Sequence, residues 1–384
     1  RAHHAALSVI DQMSLFLKVR ESCHRCVQSS RAVSISDANL KKWVESIDSE
    51  KVNSTEIRKF PLKFTIDEEI NFRCTLNALN FGSGYRHLLH EHCNKGAYET
   101  MISGCLGAFI SGASFNESFY SNMTDFKISE YFGIPSTIEV EVQAATYQDA
   151  AGPLKPLVDQ IRRVFHEIGR ILRNRQCRDF AEFIRKSLNS LRKDIKNRRS
   201  QQKSGVDEKQ MEHEDSKLIL EGLLKEFVET FPLFNDKMEL PEIGEVVLFK
   251  KIQLLLSDLY LSFRRSPDSQ FSFMESCLDE FTIFADNVIP AVLRHLGVIE
   301  VSDEVAKKID RKKTIRTGVI DTSLRAAAIT ACDQAVKMSA KLYDEGKIAK
   351  SFNSIQLDHY LWELGKDPEF RSLERHSTKN TIFY

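Results

Sequence analysis

Three observations predict a mainly α-helical globular fold. Apolar residues recur at helical spacing along most of the chain, as in Leu157, Ile161, Val164, Phe165, Ile168 and Leu172, and again in Leu220, Leu223, Leu224, Phe227, Val228 and Phe231. Stretches that alternate in the manner of a strand are few and short: Arg31 to Ser36, and Ile138 to Gln143. At 384 residues and 42% apolar composition the chain can bury a large core, and one helical domain spanning residues 1–384 accommodates it.

Composition excludes several function classes. Lys plus Arg equals Asp plus Glu, 54 each, so the chain lacks the basic excess of a general nucleic-acid binder. No apolar run approaches the roughly 18 residues that span a bilayer, so no membrane partner is expected. The first residues, RAHHAALSVIDQMSLFLKV, are amphipathic with Asp11 among them and do not read as a signal peptide. Eight cysteines without framework spacing fit a reducing compartment, with cytoplasm or nucleus the expected location.

Taken in order, Ala6 to Val19 reads as a helix. Cys23 and Cys26 have the spacing of half a zinc site, but no second such pair follows. Leu40, Trp43, Val44 and Ile47 form a helical stripe with Asp37 as its cap. Gly82-Ser83-Gly84-Tyr85 reads as a tight loop where backbone can approach a ligand closely. His87, His90, His92 and Cys93 follow at loose spacing and read as a solvated loop. Tyr98 to Phe109 is a clean helical stripe. Lys193 to Lys217 is almost devoid of apolar residues and splits into a basic and an acidic half, which predicts a disordered insertion at 193–217. Val246 to Phe263 is again helical, with Lys250 and Asp258 about two turns apart on a side different from the apolar one. Ser302 caps a further helix, and Leu324 to Tyr343 is Ala-rich and helical.

Two stretches carry chemistry. In Phe281 to Ile299, the apolar residues Phe281, Ile283 and Phe284 lead to Asp286 and Asn287, followed by a buried stripe of Ile289, Val292, Leu293 and Leu296 that Gly297 stops. Asp286 reads either as a helix N-cap or as a partly buried carboxylate aimed at a ligand. In Ser354 to Trp362, Ile355, Asp358, Leu361 and Trp362 share one face, so a carboxylate is written into an apolar stripe; His359 and Glu363 lie one turn apart beside it.

The motifs Asn80-Phe81, Phe227-Val228-Glu229-Thr230-Phe231-Pro232, Phe249-Lys250-Lys251-Ile252-Gln253 with Asp258, Phe284-Ala285-Asp286, His295-Leu296-Gly297, Leu357-Asp358-His359-Tyr360-Leu361-Trp362 and Ile382-Phe383-Tyr384 resemble, in their order and spacing, the queuosine 5′-phosphate N-glycosylase/hydrolases, the queuosine salvage proteins. The resemblance runs from about Ser30 to Tyr384 and omits the polar stretch. It implies a helical fold similar to helix–hairpin–helix DNA glycosylases and hydrolysis of queuosine 5′-monophosphate to queuine and ribose 5-phosphate. It places the catalytic carboxylate on Asp286, the base-contacting ring on Phe284 and further substrate contacts on Asp358, His359 and Glu363. The sequence departs from the family pattern at Asn287-Val288, where the family has Tyr-Arg, and at His359 and Glu363.

Breaking an N-glycosidic bond builds positive charge on the ribose, which a fixed carboxylate stabilises best where water is excluded. Queuine is a 7-deazaguanine and lacks the ring nitrogen that helps ordinary purines depart. Stacking on Phe284 and acids facing its donors, from Asp358 and Glu363, are the expected means of holding it. Lys250 and Lys251 are candidates to meet the 5′-phosphate. No cofactor or metal is expected, and the partner is a small-molecule nucleotide. Two other classes remain open at this stage: a helix–hairpin–helix nucleic-acid glycosylase and a non-catalytic helical scaffold.

Overall fold

The computed structural model describes residues 14–54, 60, 62–200, 207–266 and 269–384. The chain opens with α1 (Leu15–Ser29), β1 (Val33–Ile35), α2 (Asp37–Ser46) and α3 (Ser49–Asn53). It continues with α4 (Ile66–Ala78), α5 (Arg86–Cys93), α6 (Ala97–Ile110), α7 (Glu117–Ser121) and α8 (Asp125–Phe132). A hairpin, β2 (Thr137–Gln143) and β3 (Thr146–Ala151), precedes the long helices α9 (Lys155–Asn174), α10 (Phe180–Arg199) and α11 (Glu208–Thr230). Then come β4 (Lys237–Leu240), β5 (Gly244–Val247), α12 (Lys250–Phe263), α13 (Val288–His295), β6 (Ile299–Val301) and α14 (Asp303–Asp310). The last elements are α15 (Val319–Asp344), α16 (Ser354–Leu364) and α17 (Pro368–Arg371). Helices dominate, as the periodicity requires. The strands form three separate antiparallel pairs: β1 with β6, β2 with β3, and β4 with β5.

Local chemistry explains the helix starts. Thr65 and Glu68 exchange hydrogen bonds in a capping box ahead of α4, and Asn353 and Gln356 do the same ahead of α16. Gly297 takes φ +70 after α13 and ends it, as expected. In the middle of α15, Ala326, Ala327, Ala328, Ala331 and Ala335 are all buried, and their small side chains let α1 pack closely along this helix. A second centre of packing is aromatic: Phe180, Phe183, Phe227, Phe231 and Phe234 join α10, α11 and the turn after it through ring contacts of 5.0–6.5 Å.

Several expectations need correction. The predicted disordered insertion at 193–217 is instead the end of α10 and the start of α11, with residues 201–206 outside the described set. Arg199 of α10 meets Asp215 of α11 at 2.7 Å, and Ile195 and Ile219 are buried. His87, His90, His92 and Cys93 belong to α5 rather than a loop. Cys23 and Cys26 lie buried in α1. Among the described residues no group of three or more metal-ligating side chains converges. The expected helix from Ala6 is seen from Leu15 onward, its earlier residues lying outside the described set. The hairpin β2–β3 does form an exposed strand pair, as its alternation suggested.

Candidate active site

The stretch before α13 is held from both sides by other elements. Arg20 of α1 donates to the carbonyls of Asp279, Glu280 and Phe281 at 2.8–2.9 Å. The Gln253 amide of α12 brackets Thr282, accepting its N–H at 2.9 Å and donating to its hydroxyl at 3.0 Å. The Phe284 N–H donates to Asp358 Oδ1 at 2.6 Å. Arg325 Nε donates to the Ala285 carbonyl at 2.9 Å, and Asn287 Nδ2 donates to the His376 carbonyl at 3.1 Å. The residues immediately before and after Asp286 are thus fixed by groups from α15 and from the stretch after α17.

Asp286 itself is half-buried. Its Oδ1 accepts from the N–H of Val288 at 2.6 Å and of Ile289 at 3.4 Å, the first amides of α13. This satisfies orphan donors at a helix start and sets a carboxylate where the helix dipole favours it. Among the described residues nothing hydrogen-bonds to its other oxygen. The two sequence readings of Asp286 therefore meet in one residue: one oxygen caps the helix, and the other is free to face a ligand.

Lys250 and Asp358 complete the group. Lys250 opens α12 after Phe249, which sits at φ +47, and is 3% exposed. Its ammonium donates to Asn80 Oδ1 at 2.9 Å and to the Asn80 carbonyl at 3.3 Å. Burial pushes its pKa down to about 8, against the pull of Asp286. Asp358 is 6% exposed, and burial lifts its carboxyl to about 7; the Phe284 N–H opposes that rise, and the neighbouring Asp286 charge adds to it. Two carboxyl groups and an amine therefore share one poorly hydrated place, and the second carboxyl holds its proton near neutral pH.

Not every residue singled out by sequence arrives there. Lys251 is buried on a different side, with its ammonium on the Ala78 carbonyl at 2.7 Å and the rings of Phe81 and Phe234 at 5.4 and 5.8 Å, so it cannot meet a phosphate. Glu363 is exposed and pairs with Lys366 at 2.5 Å. Phe284 is buried, as Lys250 and Asp358 are, and its N–H donates to Asp358. His359 is largely buried; burial lowers its pKa, while Asp258 and Glu363 pull it back. It therefore lies beside the polar cluster in which Asp258 accepts from Arg73 at 2.6 Å and from Asn77 at 3.1 Å. Lys250 and Asp258 both turn toward α4 and the residues just after it, through Asn80 and Asn77. Gly84 does come close to backbone, as expected of that loop, but the backbone is that of Thr378 and Lys379 and not a ligand.

Sequence reasoning missed the supports. Arg325 and Asp236 form a buried pair, with Nη1–Oδ1 3.2 Å and Nη2–Oδ2 2.5 Å. Burial works against the Arg325 charge, but Asp236 more than offsets it and the pKa ends above its ordinary value. The Arg325 guanidinium also lies 4.6 Å from the centre of the Tyr384 ring. Asp321 gathers the Tyr384 hydroxyl, Thr378 Oγ1 at 3.3 Å and His376 Nε2 at 3.5 Å. One signal was available: Arg325 is a lone arginine at the start of an Ala-rich helix, where only a buried partner justifies it. Two surface clefts, one around Ser118, Phe119 and Lys127, the other around Asn71, Phe115 and Arg178, include none of Asp286, Lys250 and Asp358.

Comparison with known proteins places the chain. Residues 209–384 match the family model described as queuosine salvage protein. The chain is 23% identical over 385 residues to the queuosine 5′-phosphate N-glycosylase/hydrolase of Bos taurus, covering 97% of this chain and 100% of that protein. It is 24% identical over 329 residues to the protein of the same description from Mus musculus, covering 77% and 86% respectively. A protein so described from Sphaerobacter thermophilus is 33% identical over 156 residues, 40% of this chain and 44% of that one. Asp286, Lys250 and Asp358 all fall within the segment matched by the family model. The chain is thus similar along nearly its whole length to proteins of one description, and its residues 209–384 match the queuosine salvage protein model.

Proposed function

We propose that the protein hydrolyses the N-glycosidic bond of queuosine 5′-monophosphate, releasing queuine and ribose 5-phosphate, with Asp286 as the catalytic carboxylate. The observation that carries this reading is the placement of Asp286: one oxygen is locked on the first amides of α13, the other is unengaged, and the residues on both sides are pinned. A carboxylate so fixed need not reorganise when positive charge develops at the anomeric carbon.

The C1′–N bond breaks with its electron pair leaving on the base. Water adds its oxygen to C1′ and gives a proton to Asp286, acting as general base. The departing base needs a proton that a 7-deazapurine cannot take at the missing ring nitrogen. Asp358, protonated up to about pH 7, is an acid suited to supply it or to hydrogen-bond the developing anion. Lys250 offsets the two carboxyl groups and, held by Asn80, orients them. Its place among these groups supports such a role better than one on the phosphate. The names of the relatives support an N-glycosyl hydrolase acting on a nucleotide over a nucleic-acid glycosylase or a scaffold. All eight cysteines are free thiols, which suits the cytoplasm or nucleus, where released queuine would be available for tRNA modification.

Incubation with queuosine 5′-monophosphate and chromatography of the products tests the proposal. Stoichiometric queuine and ribose 5-phosphate are expected. Intact substrate after prolonged incubation with folded protein would defeat it.

A further inference from the structure

The hairpin β2–β3 carries none of the groups described so far. Its sheet holds these two strands alone; all seven residues of β2 are exposed, as are five of the six in β3. The register sorts its side chains by chemistry. Ile138 lies opposite Ala150 and Val140 opposite Gln148, which makes one face largely apolar. Glu139 lies opposite Asp149 and Glu141 opposite Tyr147, which makes the other face acidic. Ile138 and Val140 are each 40% exposed and Tyr147 is 60% exposed, so neither face is covered.

Two features of this hairpin are unfavourable in isolation. The outer edge of β2 has no strand beside it, and its open backbone groups run next to exposed Ile138 and Val140; such an edge invites pairing. Neither lysine nor proline blunts it, since β2 reads TIEVEVQ. Glu139 and Asp149 also set like charges directly opposite each other, which costs stability. No cation of the neighbouring chain relieves them. Residues 128–154 contain no Lys, Arg or His, and Lys155 is engaged by Asp125 at 3.2 Å and Asp159 at 2.6 Å. Among the described residues none of Glu139, Glu141 and Asp149 forms an ion pair; Glu141 Oε1 accepts the Ala145 N–H at 3.0 Å within the turn.

A strand laid along β2 answers both. Its main chain would pair with the open edge, and its alternate side chains would fall on the two faces. Basic residues at every second position would stand beside Glu139 and Glu141, with Tyr147 offering a ring to a cation. Apolar residues between them would cover Ile138 and Val140. A second copy of the chain fits this edge poorly. Two-fold antiparallel pairing centred on Val140 sets Glu139 of each copy opposite Glu141 of the other.

We propose that the outer edge of β2 is a docking edge for an extended segment of another protein in which basic and apolar residues alternate. Docking there calls on none of Asp286, Lys250 and Asp358.

The probe is a fluorescein-labelled eight-residue peptide alternating Lys and Val, titrated with the full chain and followed by fluorescence anisotropy. A peptide of the same composition in the repeating order Lys-Lys-Val-Val is the contrast, since as a strand it cannot separate charged from apolar groups. Wild type should bind the alternating peptide roughly 10-fold more tightly than the contrast, with affinity falling as salt rises. Glu139→Lys places a cation opposite Asp149, so the protein should melt no earlier, while the alternating peptide should bind roughly 10-fold more weakly. Glu139→Lys/Glu141→Lys should weaken it further. Equal binding of the two peptides, or unchanged binding by the folded double variant, overturns the docking edge. So does a wild type that binds neither peptide at low salt. Should the double variant fail to fold, unchanged binding by Glu139→Lys overturns it equally. In sedimentation, a wild-type dimer that Glu139→Lys dissociates would give the edge to a second copy and overturn the proposed partner.

Discussion

Replacing Asp286 by Asn separates its two duties. The Asn side-chain oxygen can still accept from Val288 at the 2.6 Å now seen for Asp, and Asn caps helices about as well as Asp does. What disappears is the charge. Loss of a carboxylate from a helix start costs about 0.3–1 kcal/mol, and relief of the like charge on Asp358 offsets part of it. The melting temperature should move by about 2 °C or less, given the size of the chain. Catalysis should respond far more strongly. Losing one pre-organised electrostatic group at a developing charge costs about 2.7–4 kcal/mol, or roughly 100- to 1,000-fold in kcat. Asp286→Ala supplies the contrast, because it removes the cap as well and should lower stability by about 1 kcal/mol more than Asn does. Queuine release under saturating queuosine 5′-monophosphate, measured beside thermal melts of both variants, reads the two effects independently. An Asp286→Asn protein that turns over at nearly the wild-type rate would leave this residue a helix cap and nothing else.

The pH dependence has a definite sign. Asp358 binds its proton more tightly folded than unfolded, so its contribution to stability is complete below about pH 3.8 and is lost as pH rises through about 7. kcat/KM should decline through the same upper region as the proton leaves, and Asp358→Asn should flatten both declines; a wild-type profile level from pH 6 to 8 would contradict this. Lys251→Met should strand the buried Ala78 carbonyl and cost about 1–3 kcal/mol in urea unfolding, without altering the preference for monophosphate over nucleoside. A selective loss with the monophosphate would restore Lys251 to the phosphate. Asp236→Asn breaks a buried pair and should cost about 3–5 kcal/mol; because Arg325 holds the Ala285 carbonyl, its activity loss should exceed what the unfolded fraction explains. Activity falling only in step with the folded fraction would show that the pair does not position Asp286.

Local pattern made much of this legible. The helices from Leu157 to Phe263 were readable because each buries a stripe whose period the backbone imposes. Asp286 stood out since a polar pair interrupts an apolar run at a helix start. Charge misled where its partner was remote. The 193–217 stretch looked unable to fold when judged in isolation, yet its described residues are helical and one of its arginines, Arg199, pairs with Asp215 of the next helix. Lys251 looked like a phosphate contact because nothing nearby in sequence announces the Ala78 carbonyl and the two rings beside its ammonium. Periodicity reports which face is buried, and it cannot report what the buried face meets.

The close approach at Gly84 bears on how the molecule comes to exist. Ser377 Oγ donates to the Gly84 carbonyl, and the Gly82 N–H donates to the Tyr384 carbonyl, contacts that join segments about three hundred residues apart in the chain. A ribosome delivers residues 376–384 long after α4 and α5, so the helices must gather and wait. Closing so large a loop is slow, and it becomes favourable only after most local structure exists. The groups seated by that closure include His376, which holds Asn287, and Tyr384, which lies against Arg325. In refolding from urea, ellipticity should therefore recover before catalysis does, and the interval between them measures the time the chain takes to join its two distant parts.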